Sequence, residues 1–274
     1  MTPAWISRRT ALTLLLAFTM VMAVLPVFLP RFAQPLEYHA FADRRTWFGI
    51  SNFLDVISNF PFAILGLMGL IFIRTSRSRS SFVDMRERWP YLAMFAGLLL
   101  TAFGSGYYHL DPNNSRLLWD RLPMTIVFMS IIAAMIVERV SVRAGLYLLL
   151  PMVVIGAGSS IQWYVSELRG LGDLRFYAAV QVYAVLVLPL MMWLFPARYT
   201  RTSDIGVIVG FYVLAKVFEA FDRQIYAALG HAVSGHTLKH LAAAMAGYWI
   251  LRMLKRRVPV DVAHNPAGSA KLAC

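Results

Sequence analysis

The residues in this chain most able to do chemistry are three histidines. His109 closes the phrase Ser105-Gly-Tyr-Tyr-His109, and His236 and His240 lie in Ser234-Gly-His-Thr-Leu-Lys-His240. A separation of four places both imidazoles on one helix face, a turn apart. His109, far earlier in the chain, is the third ligand that the fold must supply. Three neutral imidazoles with a fourth position open form the ligand set of a catalytic zinc, whereas a structural zinc is closed by four protein ligands. The single cysteine, Cys274, rules out an intrachain disulfide and a CxxC motif. Any metal site must therefore use histidines and carboxylates.

The elements that position these histidines are membrane helices. The 274 residues are 59% hydrophobic and 15% charged, with a mean hydropathy of +0.60; soluble domains carry about 25% charged residues. Apolar runs of spanning length, about 20 residues, lie near 11–30, 52–73, 90–110, 122–140, 144–164, 176–196, 204–227 and 236–253. They lack the strict alternation of barrel strands. The expectation is an all-α polytopic bundle of eight spans. A net charge of +12 raises the question of nucleic acid. The basic residues cluster at the ends of apolar runs rather than on a soluble platform, so no nucleic-acid partner is expected.

Charge asymmetry orients the bundle. With the N-terminus in the cytoplasm, sixteen Lys and Arg residues fall on the cytoplasmic side, among them Arg74, Arg77, Arg79, Arg256 and Arg257. Eight fall opposite, and Lys216 and Lys239 lie within spans. This excess places both termini in the cytoplasm. His109, Asp120, His236 and His240 then share the non-cytoplasmic face, although no histidine or carboxylate entered the count. Arg8-Arg9 and the apolar run after them have the form of a signal peptide, but the run is long for one. An uncleaved anchor is expected. The segment from Val258, with Pro259 and Pro266, reads as disordered.

A lone histidine at a helix end is ordinarily an interfacial group bonded to a carbonyl. Three in this arrangement favour a metal. The ordered set Ser105-x-x-x-His109, Asp120, His236-x-x-x-His240 resembles the alkaline ceramidase family, part of a wider superfamily with the adiponectin receptors. The phrases Trp119-Asp-Arg-Leu-Pro-Met124 and Ser58-Asn-Phe-Pro-Phe62 support it. The similarity runs from about Phe41 to Leu254. This divides the chain into residues 1–40 with the extra span, a seven-helix ceramidase-like domain over 41–254, and a basic tail over 255–274, in a bacterial-type member of the inner membrane.

The resemblance implies zinc held by His109, His236 and His240, and attack of a zinc-bound water on a lipid amide. Asp120 matches the family aspartate, which orients that water or carries its proton to the leaving amine. Ser105 is placed to donate to the oxyanion. A serine-nucleophile triad of Ser105, His109 and Asp120 leaves the His236–His240 pair unexplained. The family also suggests a calcium site near Asp43, Asn52 and Asp55. Arg44 and Arg45 follow Asp43 directly, and three oxygen ligands fall short of the 6–8 that calcium takes, so calcium is not expected.

Within the last two spans, Lys216, Glu219 and Asp222 are spaced by three, and Lys239 sits between the candidate ligands. Glu219 is read as ion-paired with Lys216 one turn away. Asp222 stands evenly between an ion pair and a carboxylate that orients a ligand histidine. The functional expectation is a zinc-dependent hydrolase of ceramide or a ceramide-like N-acyl lipid, with a membrane lipid as its partner and the metal site towards the periplasm. A receptor or sensor of the adiponectin-receptor kind, with structural zinc, is the alternative. A transporter is disfavoured by the lack of an inverted repeat. Head group, acyl length, protein partners and oligomeric state are not legible from the sequence.

Overall fold

A computed structural model describes residues 6–261, which form ten α-helices and no β-strand. In chain order they are α1 (Arg8–Phe28), α2 (Phe53–Ile57), α3 (Phe60–Arg74), α4 (Arg88–Leu110) and α5 (Asn114–Arg139). There follow α6 (Val142–Leu168), α7 (Arg175–Leu194), α8 (Ser203–Ala220), α9 (Asp222–Ala228) and α10 (Gly235–Arg256). Six segments are long and apolar enough to cross a membrane: α1, α2 with α3, α4 with its preceding turn, α5, α6 and α7. The chain is thus an all-α integral membrane protein. The last two of the eight expected spans coincide with α8 and α10. These carry more charge, namely Asp204, Lys216 and Glu219 on α8 and Lys239, Arg252, Lys255 and Arg256 on α10.

Local chemistry sets where helices begin. The side-chain oxygens of Ser7, Asn113, Ser141 and Ser234 accept from the N–H three residues on, starting α1, α5, α6 and α10. Each cap satisfies one of the four amides that a helix start leaves unpaired. Inside the bundle α4 packs on α3 and α5, α5 on α6, and α8 on α10. Phe95, Ile132, Met191 and Leu254 are buried in the apolar core so formed. α1 lies at the edge against α7, where Thr19 and Tyr183 share a hydrogen bond of 2.9 Å. Only 11% of its spanning window is buried.

Three features differ from the sequence reading. The second expected span is broken at Ser58-Asn59, just before Pro61. Proline has no N–H to offer the carbonyl four residues before it, that of Ile57; at the break Asn59 N–H turns to Val56 O and its side-chain amide donates to Asp55 O at 2.7 Å. The seventh is broken at Phe221, which separates α8 from α9. Finally, Val258–Val260 are not disordered. Thr200 N–H donates to Val258 O at 2.9 Å and Val260 N–H to Arg198 O at 3.0 Å. Buried Arg257 anchors this pairing by bonding to Glu138 and Ser81 O. The remainder of the expected tail, residues 262–274, lies outside the described residues.

Candidate metal centre

His109 ends α4, and His236 and His240 occupy the first two turns of α10. The fold brings the three together. Their ring centroids lie 4.8, 4.8 and 4.9 Å apart, and one nitrogen from each falls within 4.8 Å of the others. All are at most 3% exposed. Both ring nitrogens of His109 and Nε2 of His236 have no hydrogen-bond partner. A buried imidazole nitrogen without a partner is costly, and three imidazoles converging this way match the donor set of a metal ion. Among the described residues this is the group of three or more His, Cys, Asp or Glu side chains able to share one ion.

Neighbouring residues fix each ligand. Ser58, freed by the break between α2 and α3, shares a 2.7 Å hydrogen bond with His240 Nδ1 and donates its own proton to Asp55 O at 3.1 Å. Ser58 must therefore accept from Nδ1–H, which leaves the lone pair of Nε2 for an ion. Asn52 donates to the backbone oxygen of His109 at 2.9 Å, satisfying a carbonyl that the end of α4 leaves open. The Phe41 ring covers the group, 4.7 Å from His109 and 4.4 Å from His236 between centroids. Asp55 accepts from Ser234 and Thr237, tying α2 to the start of α10.

Asp222 acts on backbone rather than on an imidazole. Its Oδ1 accepts from His236 N at 2.7 Å and its Oδ2 from Ala42 N at 2.9 Å, so it joins α10 to the Phe41 segment. This approach needs Gly235, since a Cβ there would lie 2.4 Å from Phe218 O and 2.6 Å from Asp222 Cα. The spacing by three that linked Asp222 to Lys216 and Glu219 does not operate, because α8 ends before it. Glu219 is ion-paired with Lys216 and, at 3.1 Å, with Lys239, and it accepts from Tyr38 Oη. Lys239 points to this carboxylate from between the two ligands.

Ser105 and Asp120 are brought together beside the histidines. Both side chains are buried. Their helices approach closely at Gly104, where a Cβ would fall 2.0 Å from Trp119 O. Trp119 is four residues before Pro123, so that carbonyl has no helical donor and is free to face the neighbouring backbone. Ser105, Asp120 and His240 line an apolar cavity of about 590 Å3 between α4, α5, α7, α8 and α10.

The residues weighed for calcium are otherwise engaged. Burial pushes the Asp43 carboxyl up, but Arg45, donating to both its oxygens, brings it below the ordinary carboxylate range. Asn52 and Asp55 serve the histidine group as described. Compared with protein-family models and with curated proteins, the chain matches none. The likeness to alkaline ceramidases rests on the motif set alone. Sequence reasoning gave Phe41, Asn52 and Ser58 no role at the histidine group. The phrase around Ser58 was a signal in part, since a Pro-interrupted apolar run marks where a span opens to a site.

Proposed function

We propose that this chain is a zinc-dependent intramembrane hydrolase, related to the alkaline ceramidases, that cleaves the amide of ceramide or a ceramide-like N-acyl lipid. The observation behind this reading is one juxtaposition. Three buried imidazoles converge, two of them with unpartnered nitrogens, and the third, His240, lines an apolar cavity suited to an acyl chain together with the Asp120 carboxylate and the Ser105 hydroxyl. His109, His236 and His240 would hold the ion. When bound, zinc supplies Lewis acidity and lowers the pKa of water from 15.7 to about 7.

The chain's own groups do the rest. Leu98, Phe128, Leu188 and Ile208 line the cavity and exclude water from the acyl chain. Asp120 accepts the proton of the attacking water and returns it to the amine that leaves. Ser105 donates to the substrate oxygen as its negative charge develops. Ser58 and Asn52 hold His240 and the end of α4 in place.

The reading includes eight spans, both termini in the cytoplasm of a cell with an inner membrane, and the histidines towards the periplasm. A reporter fused after Lys255 would then score cytoplasmic and one between Asp111 and Ser115 periplasmic; reversed signals overturn that orientation. The decisive experiment assays purified protein on short- and long-chain ceramides, with zinc measured on the same samples. Release of fatty acid at one zinc per chain is expected. Full zinc with every N-acyl lipid left intact would overturn the hydrolase in favour of a receptor.

A further inference from the structure

Arg121 lines the same cavity, and the proposed hydrolysis makes no use of it. It follows Asp120 on α5 and is 4% exposed. Its guanidinium lies 4.0 Å from the ring centre of Trp163 and 4.5 Å from that of Tyr177, and Nη2 donates to Gln34. Nη1 has no partner, and among the described residues no carboxylate lies within ion-pair distance of Arg121. Burying a charge without a counter-charge is expensive, and such residues inside membrane bundles mark ligand paths.

Charge arithmetic in the cavity points the same way. Arg121, Lys216 and Lys239 face Asp120 and Glu219 there. Glu219 is shared by the two lysines. Among these side chains, with Asp120 ionised as a base must be, one positive charge remains in excess, and the unmatched donor is Arg121; an ion held by the histidines would only add to that excess. The single unmatched Nη1 calls for an anionic acceptor, and a carboxylate is the least that supplies one. The other lining is mostly apolar, so the anion must be carried by a hydrocarbon chain.

We infer that Arg121 binds the carboxylate of an acyl lipid lying in this cavity, which the hydroxyls of a neutral ceramide would leave unmatched. The inference deepens the proposed hydrolase and rests on it only for the identity of the bond cleaved. Two sources offer such a carboxylate. One is the amine portion of the substrate, as in an N-acyl amino acid; the other is the fatty acid released.

The test titrates full-length protein in dodecylmaltoside with two matched pairs: N-dodecanoylglycine against N-dodecanoylglycinamide, and dodecanoate against dodecanol. Mass spectrometry of the recovered ligands reads cleavage separately from binding. A preference of about 10-fold or more for the acid is expected, and Arg121→Gln removes it. Loss seen in the glycine pair assigns the carboxylate to the substrate; loss in the dodecanoate pair alone assigns it to the product. Arg121→Lys keeps the charge without the fork and lowers the preference about threefold, so it serves where Arg121→Gln does not fold. Equal affinities within both pairs, or a preference that survives both substitutions, overturn the inference. Arg121-dependent binding with every amide intact would sink the hydrolase and leave this inference standing. Cleavage of neutral ceramides without any acid preference would do the reverse.

Discussion

The two ends of the bundle handle buried charge in opposite ways. At the end away from the histidines, opposite charges close on one another. Arg257 bonds Glu138, Arg198 lies 2.7 Å from Glu87, and Tyr91 and Tyr199 donate to the same two carboxylates. About 27 Å along α5, at 1.5 Å per residue, Asp120 shares a cavity wall with His240, His109 and His236 carry unpartnered nitrogens, and Arg121 has an unpartnered donor. Both ends use buried polar groups on or directly flanking α4, α5 and α10. One is arranged to hold the bundle together and the other to hold something else. The difference lies in whether opposite charges meet, not in how polar each end is: Arg257 keeps one unpartnered nitrogen yet bonds Glu138, whereas among the described residues no carboxylate lies within ion-pair distance of Arg121.

Substitutions at the two ends should therefore fail differently. The largest effect belongs to His236→Ala with His240→Ala, which strips zinc from about one per chain to near none and abolishes turnover; full zinc by elemental analysis would remove the ligand assignment. Asp120→Asn should cost about 10²–10⁴-fold in amide hydrolysis and Ser105→Ala about 10²–10³-fold, both with zinc retained. Unchanged rates in Asp120→Asn would defeat its role as base.

At the far end, Arg257→Met leaves Glu138 buried without its partner and should destabilise by about 3–5 kcal/mol. Zinc content of the folded fraction stays at its usual level. Loss of zinc in proportion to stability would mean that the two ends are not separable. The smallest effect is at Ser58→Ala, where the ligand loses its orienting bond. Metal affinity should fall about 10–100-fold with little change in the melting temperature, as a chelator competition would read.

The histidine set was legible because its information is local. A spacing of four on a helix and a position at the end of an apolar run both survive in one dimension. All-α architecture followed from hydropathy for the same reason. What escaped depends on long-range contact or on short breaks. Ser58 meets His240 across 182 positions and Asn52 meets His109 across 57; the proline-interrupted run around Ser58 marks a break but names no partner for either residue. Apolar runs averaged over about 20 residues also pass over the breaks at Ser58-Asn59 and Phe221. The second of these redirected Asp222 from a helix face to a pair of backbone amides. Arg121 had been counted only as a positive charge at a span end, since its lack of a carboxylate appears only when its neighbours are known.

The Phe41 ring lies against two of the three imidazoles, and the residue after it is pinned by Asp222 through Ala42 N–H. An ion approaching from that side must displace an aromatic ring and break that hydrogen bond before it meets the second ligand. For any ion the histidines hold, escape by this route is set by the opening of the Phe41 segment as well as by the strength of the ligand bonds. Affinity and residence time thereby come apart: a variant such as Phe41→Ala can speed exchange at both loading and loss while leaving the equilibrium nearly where it was.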